Sequence, residues 1–112
     1  MLAIATLAPA ERAAWARLPA EARLPAFYDA WTAKEAWLKA TGEGLMRAPV
    51  EVDRERAADG RAVPVVAGVP ARGWRIWSFA PAPGYLGALA APGDDWRPVG
   101  WDWTPDDVMH DA

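Results

Sequence analysis

The chain has 112 residues, 53% of them hydrophobic and 24% charged, with a net charge of −3, which suits one small domain with one modest core. That balance lacks the clustered basic residues of a nucleic-acid binder. The lack of cysteine excludes disulfides and thiolate metal sites, and a lone histidine, His110, disfavours a histidine zinc site within one chain. The N-terminal "MLAIATLAPAER" has no basic leader and only a short apolar run, so no signal peptide and no membrane span are expected. A cytoplasmic protein is the default expectation. Eight tryptophans imply large buried or half-buried aromatic surfaces.

Residues 8–20, "APAERAAWARLPA", predict a short helix with Pro9 in its first turn and Glu11 favouring its N-terminal end. Pro25 is expected to start a longer helix running to about Thr41, with Gly42 and Gly44 as stop signals. The period then changes. "APVEVD" (48–53), "AVPVV" (62–66), "GWRIWSF" (73–79) and "GYLGALAA" (84–91) read as short strands, with Asp59-Gly60 and Pro83-Gly84 as hairpin turns. "PVGWDW" (98–103) is a candidate last edge strand, and residues 103–112 are expected to fray. Helices first and an antiparallel meander after them predict an α+β fold, with two N-terminal helices packed on a small antiparallel sheet in one domain over 1–112. In an extended strand Trp74 and Trp77 face opposite sides while Trp101 and Trp103 share one. Packing is the expected role of these tryptophans, and the acidic "DDW" and "PDDVMHD" read as solvated charge near a terminus.

At about 100° per residue, Leu24, Phe27, Trp31 and Leu38 form one apolar stripe of the longer helix. Ala30, Ala33, Ala36, Trp37 and Ala40 are then expected to face outward. Glu35 falls at the stripe's edge, with Tyr28 and Lys39 just beyond it and Lys34 on the other flank. Glu35 and Lys39 have the i,i+4 spacing of an ordinary surface ion pair. Three features point further. Glu35 lies beside apolar residues, a second lysine adjoins it, and the chain's only lysines, Lys34 and Lys39, stand here while every other basic residue apart from His110 is Arg. Lysine is a compact charge and can act as a base, whereas arginine is a fixed fork that stays charged. A carboxylate with two ammonium groups suits Mg²⁺ and a pyrophosphate: the carboxylate holds the hard cation and the ammonium groups neutralise phosphate oxygens.

"FYDAWTAKEAWLKATGEGL" resembles the signature of the 4'-phosphopantetheinyl transferases of the surfactin-synthetase-activating type. That signature is an aromatic pair, then Trp, Ser/Thr/Cys, any residue, Lys-Glu-Ala/Ser, a Lys four residues after the Glu, and Gly-x-Gly-Leu. Phe27, Tyr28, Trp31, Thr32, Lys34, Glu35, Ala36, Lys39, Gly42, Gly44 and Leu45 match it. The upstream "LAPAERAAWARLP" and the downstream "GYLGALAA" are similar to family segments too.

The resemblance implies Mg²⁺-dependent transfer of 4'-phosphopantetheine from coenzyme A to a serine of an acyl or peptidyl carrier protein, a holo-[acyl-carrier-protein] synthase activity serving fatty acid, polyketide or nonribosomal peptide synthesis. It implies that Glu35 is a Mg²⁺ ligand, that Lys39 contacts the phosphates and helps deprotonate the serine, that Lys34 contacts phosphate, and that Trp31 packs the helix. Such enzymes are pseudo-dimers of two similar halves, and the Gly-x-Asp-x-Glu metal motif that precedes the matching region is not present here. The chain is therefore expected to resemble the C-terminal half only, and to need a complementary N-terminal half or self-association as a homodimer. The alternative expectation is a catalytically incompetent half-domain that is structural or binds coenzyme A or a carrier. Leu45 and Met46 are candidates for a carrier-docking surface or for the core.

Overall fold

The structure, a computed structural model, describes residues 6–58 and 60–99. Among these residues, helices α1 (Pro9–Ala16) and α2 (Ala20–Thr41) precede the strands β1 (Val52–Arg56), β2 (Ala62–Val66), β3 (Val69–Pro70), β4 (Trp74–Ala82) and β5 (Tyr85–Pro92). The sheet is antiparallel in the order β1-β2-β4-β5, with β3 paired to β2. The α+β architecture expected from the sequence is the one observed.

α1 is shorter than its sequence pattern, and α2 starts five residues before Pro25. The turn between them accounts for both. The Arg23 guanidinium donates to the carbonyls of Leu18 (3.0 Å) and Ala16 (3.2 Å), satisfying oxygens that the end of α1 leaves open. In return the Trp15 indole donates to the carbonyl of Arg23 at 2.7 Å. This lock requires Arg23 to be helical already, so Pro25 lies inside α2. Its missing N–H leaves only the carbonyl of Glu21 without a helical partner, in an exposed first turn where water can serve. At the other end Gly42 takes φ +74°, which an L side chain resists, and its N–H closes on the carbonyl of Leu38.

β1 lies later than "APVEVD" suggests. Pro49 starts a 3₁₀ turn, Pro49–Glu51, and the Ala48 N–H donates to the Glu51 carboxylate at 2.9 Å. Pairing therefore begins at Val52 and runs through the charged Asp53–Arg56. An edge strand of charged residues resists pairing with another chain. β2 falls where the sequence places it. β3 follows a two-residue turn in which Ala67 (φ 49°) and Gly68 (φ 82°) are both left-handed, the requirement of a type I′ hairpin. Of the expected strand 98–103, Pro98 and Val99 are not in a strand and the rest lies outside the described residues, as do Trp101, Trp103 and His110.

The core joins Ala33, Trp37 and Leu38 of α2 to Val52 and Ile76 of the sheet. Trp37 meets Trp74 edge to face at 4.8 Å and 75°. Trp74 and Ile76, two apart, share the helix-facing side, and Trp77 takes the other, as alternation requires. A smaller cluster of Leu7, Phe27 and Ala30, with Trp15 against it, seats α1 on α2.

α2 is rotated by roughly a quarter turn from the orientation its large apolar residues suggest, at about 100° per residue. Its buried face is Phe27, Ala30, Ala33, Lys34, Trp37 and Leu38, whereas Leu24, Tyr28 and Trp31 are exposed at 61%, 48% and 41%. Small Ala30 and Ala33 let the helix lie close to its neighbours, and Trp37 has an aromatic partner waiting on β4. Bulk alone does not choose the inward face; a matching surface does. Trp37→Ala is expected to cost about 3–5 kcal/mol, and Trp31→Ala less than about 1 kcal/mol, as read from urea unfolding of the two variants.

Candidate active site

Glu35 and Lys39, one turn apart on α2, line a groove of about 360 Å³ together with Leu38, Gly42, Gly44, Leu45, Arg47 and Pro49. One wall is the C-terminal half of α2. The other is the chain that doubles back after it. Gly42 makes that reversal possible, and a 3₁₀ turn, Glu43–Leu45, follows directly. The Thr41 hydroxyl donates to the Trp37 carbonyl (2.8 Å) and to the Glu43 carboxylate (3.2 Å), so the turn is pinned to the helix. Arg47 reaches Glu43 at 3.2 Å and Glu51 at 3.5 Å, an i,i+4 ladder that stiffens the second wall.

Within this groove Glu35 is half-buried and Lys39 exposed. They do not pair with each other, and among the described residues neither has an ion-pair or side-chain hydrogen-bond partner. A half-buried carboxylate without a partner is costly, and it is available to a cation. Lys39 stands in the last turn of α2, where an ammonium complements the helix carbonyls. An anion entering the groove would meet Lys39 and the guanidinium of Arg47. Arg47 is a groove residue that reading the sequence missed; the Glu43–Arg47–Glu51 spacing was the signal for it.

Lys34 lies elsewhere. Its side chain is 1% exposed, and its amine sits 2.6 Å from a carboxylate oxygen of Glu11 and donates to the carbonyl of Val52. The structure thus brings Glu35 and Lys39 together at one surface groove and turns Lys34 into the interior. Leu45 and Met46 are almost fully exposed, at 102% and 91%, and not in the core.

Of the groove residues, Glu35, Lys39, Gly42, Gly44 and Leu45 fall on the 27–45 motif, and Arg47 and Pro49 lie beyond it. A family model described as the 4'-phosphopantetheinyl transferase superfamily matches residues 2–90. The chain belongs to this superfamily. The match runs from before α1 almost to the end of β5, so both helices, the groove and nearly all of the sheet are superfamily elements. No curated protein and no solved structure gives a significant match. Among the described residues of this phosphopantetheinyl transferase relative, no helix is long and apolar enough to cross a membrane.

The unpaired state of Glu35 has a measurable consequence. Glu35→Gln keeps the shape of the side chain and removes the uncompensated charge, so it is expected to stabilise the isolated chain by about 0.5 kcal/mol. Lys39→Ala removes a cation from the helix C-terminus and is expected to cost about 0.5 kcal/mol. Denaturant midpoints in metal-free buffer, compared with wild type, check both signs.

Proposed function

We propose that the Glu35–Lys39 groove takes part in Mg²⁺-dependent transfer of 4'-phosphopantetheine from coenzyme A to a serine hydroxyl of an acyl or peptidyl carrier protein, in concert with a complementary protein surface. The observation that carries this reading is the groove itself: a carboxylate and an ammonium, one turn apart and each without a side-chain partner among the described residues, in a superfamily named for this transfer.

Magnesium is usually held by one or two carboxylates together with substrate phosphates and water. Glu35 fits one such position, because its carboxylate is unengaged and half-buried among the described residues. When bound there, the ion supplies charge neutralisation at the pyrophosphate. The chain's own residues do the rest. Lys39 offers its ammonium to the phosphate oxygens. The serine oxygen forms a bond to the phosphorus that bears pantetheine, the bond from that phosphorus to the bridging oxygen breaks, and 3',5'-ADP leaves with the electron pair. The serine's proton leaves to bulk water through a water that Lys39 orients. Such transfers depend mostly on position and electrostatics, and the protein needs to form no covalent bond of its own.

The need for a complementary surface is supported by the face on which Glu35 stands. Leu24, Tyr28 and Trp31 lie on the same side of α2 and are exposed, and contiguous apolar surface of this kind commonly marks an interface. A complementary half or a second copy of the chain would cover it beside Glu35.

Incubation of the chain with coenzyme A, Mg²⁺ and an apo carrier protein, alone and with a competent N-terminal half of a relative, tests the reading by the mass gain of a phosphopantetheine arm on the carrier. Gain in either arm supports it. No gain in both arms favours a structural or binding half-domain. In the active arrangement Lys39→Arg is expected to fold normally and to slow transfer by roughly 10²-fold, because the fork keeps the charge but misplaces it and the water it would orient. Sedimentation of the chain by itself is expected to show reversible self-association at micromolar concentrations through the Leu24–Trp31 face, and Trp31→Glu is expected to shift it to monomer.

A further inference from the structure

Lys34 and Glu11 are the most deeply engaged charged pair in the described structure, and the transfer chemistry uses neither. The Glu11 carboxylate accepts from the Ala8 N–H at 3.0 Å, which ties it to the start of α1. It meets the Lys34 amine at 2.6 Å. The same amine donates to the carbonyl of Val52, the first residue of β1. One ammonium thus joins α1, α2 and β1.

Both contacts bear on the groove. Val52 directly follows the 3₁₀ turn that starts at Pro49, and Pro49 and Arg47 form the groove wall opposite α2. Lys34 is on α2, the helix that carries Glu35, but does not line the groove. The Lys34–Val52 bond therefore spans from the helix of one wall to the chain that ends the other. Lys34 also immediately precedes Glu35, about 100° away around the helix. Holding Lys34 inside sets the direction in which Glu35 leaves the helix.

We infer that Glu11 and Lys34 form a positioning pair that sets the width of the groove and the direction of Glu35, acting through the buried amine and not by contact with coenzyme A. The inference rests on the reading of that groove as the transfer site. It differs from the phosphate contact that the sequence resemblance implies for Lys34. A side chain 1% exposed, whose amine is already shared between a carboxylate and a carbonyl, offers little to a bound phosphate. It also identifies Glu11, which lies outside the groove, as a residue on which the site depends.

The test uses the whole chain with Mg²⁺ and coenzyme A, by calorimetric titration of Glu11→Gln, Lys34→Met and the double variant. Unfolding is followed in parallel so that each affinity refers to folded protein. Glutamine can keep the cap on Ala8 while removing the charge, and the double variant leaves no buried charge unpaired, so at least one variant folds. Each single change is expected to weaken Mg²⁺-dependent coenzyme A binding about tenfold, the scale found for residues that orient metal ligands. The double change is expected to be no worse than the weaker single one, because the two act as one unit. Loss with Lys34→Met and none with Glu11→Gln would mean direct contact with the phosphates and overturns the inference. Lower melting temperatures with unchanged affinity would mean a structural role alone and also overturn it. If the chain alone binds no coenzyme A with Mg²⁺, the site needs its complementary surface, and nuclear Overhauser contacts from Leu38 and Lys39 to Pro49 in the ligand-free chain decide the positioning role. Weakened contacts in both Glu11→Gln and the double variant support it; unchanged contacts overturn it.

Discussion

A lysine amine buried at 1% exposure is the constraint on which this small fold turns. Removing an ammonium from water costs several kcal/mol unless close oxygens replace the lost hydration. Here the Glu11 carboxylate and the Val52 carbonyl do so, and they come from opposite sides of α2 in sequence. The helix can satisfy both only in one rotation about its axis. That rotation buries Ala30, Ala33 and Trp37 and leaves Leu24, Tyr28 and Trp31 outside. The apolar residues would permit more than one rotation of α2; the buried charge discriminates among them.

Arg61, just before β2, plays a comparable part. It is 3% exposed, donates to the carbonyl of Asp94 at 2.6 Å and to that of Trp96, and stacks over the Trp96 ring at 4.7 Å. It thereby fastens the segment after β5 to β2. The two buried cations are matched to their tasks. A guanidinium spans two carbonyls and stacks on an aromatic face. An ammonium fits where two oxygens converge on one point. This gives a physical reason for lysine at 34 in a chain that otherwise favours arginine, and one distinct from the reason at 39, where the amine stands open in a groove.

α2 accordingly separates two kinds of polar residue within one signature. Lys34 is engaged and interior. Glu35 and Lys39 are at the surface and, among the described residues, unengaged. Stability is concentrated where the helix meets α1 and the sheet, while the groove face carries an uncompensated carboxylate beside exposed aromatic surface. Such a division is common where a protein holds groups in readiness for a ligand or partner and a rigid framework holds them in place.

Much of this was legible in the sequence. The change from helical to strand periodicity after Gly44 determined the α+β class, because the two periodicities bury different patterns of residues. The hairpin at Pro83-Gly84 and the strand "AVPVV" could be read for the same local reason, and the spacing of Glu35 and Lys39 put them one turn apart on one helix. The rotation of α2, the early start of that helix at Ala20 and the late start of β1 were not legible. Each depends on a contact between residues far apart in the chain or across a turn: Lys34 with Glu11 and Val52, Arg23 with the end of α1, the Glu51 carboxylate with Ala48. The sequence by itself determined the two helices, the four longer strands and the one-turn spacing of Glu35 and Lys39, since these follow from local patterning. Only the tertiary structure decided which lysine is buried and which is free, because that choice depends on where the oxygens of other elements come to lie.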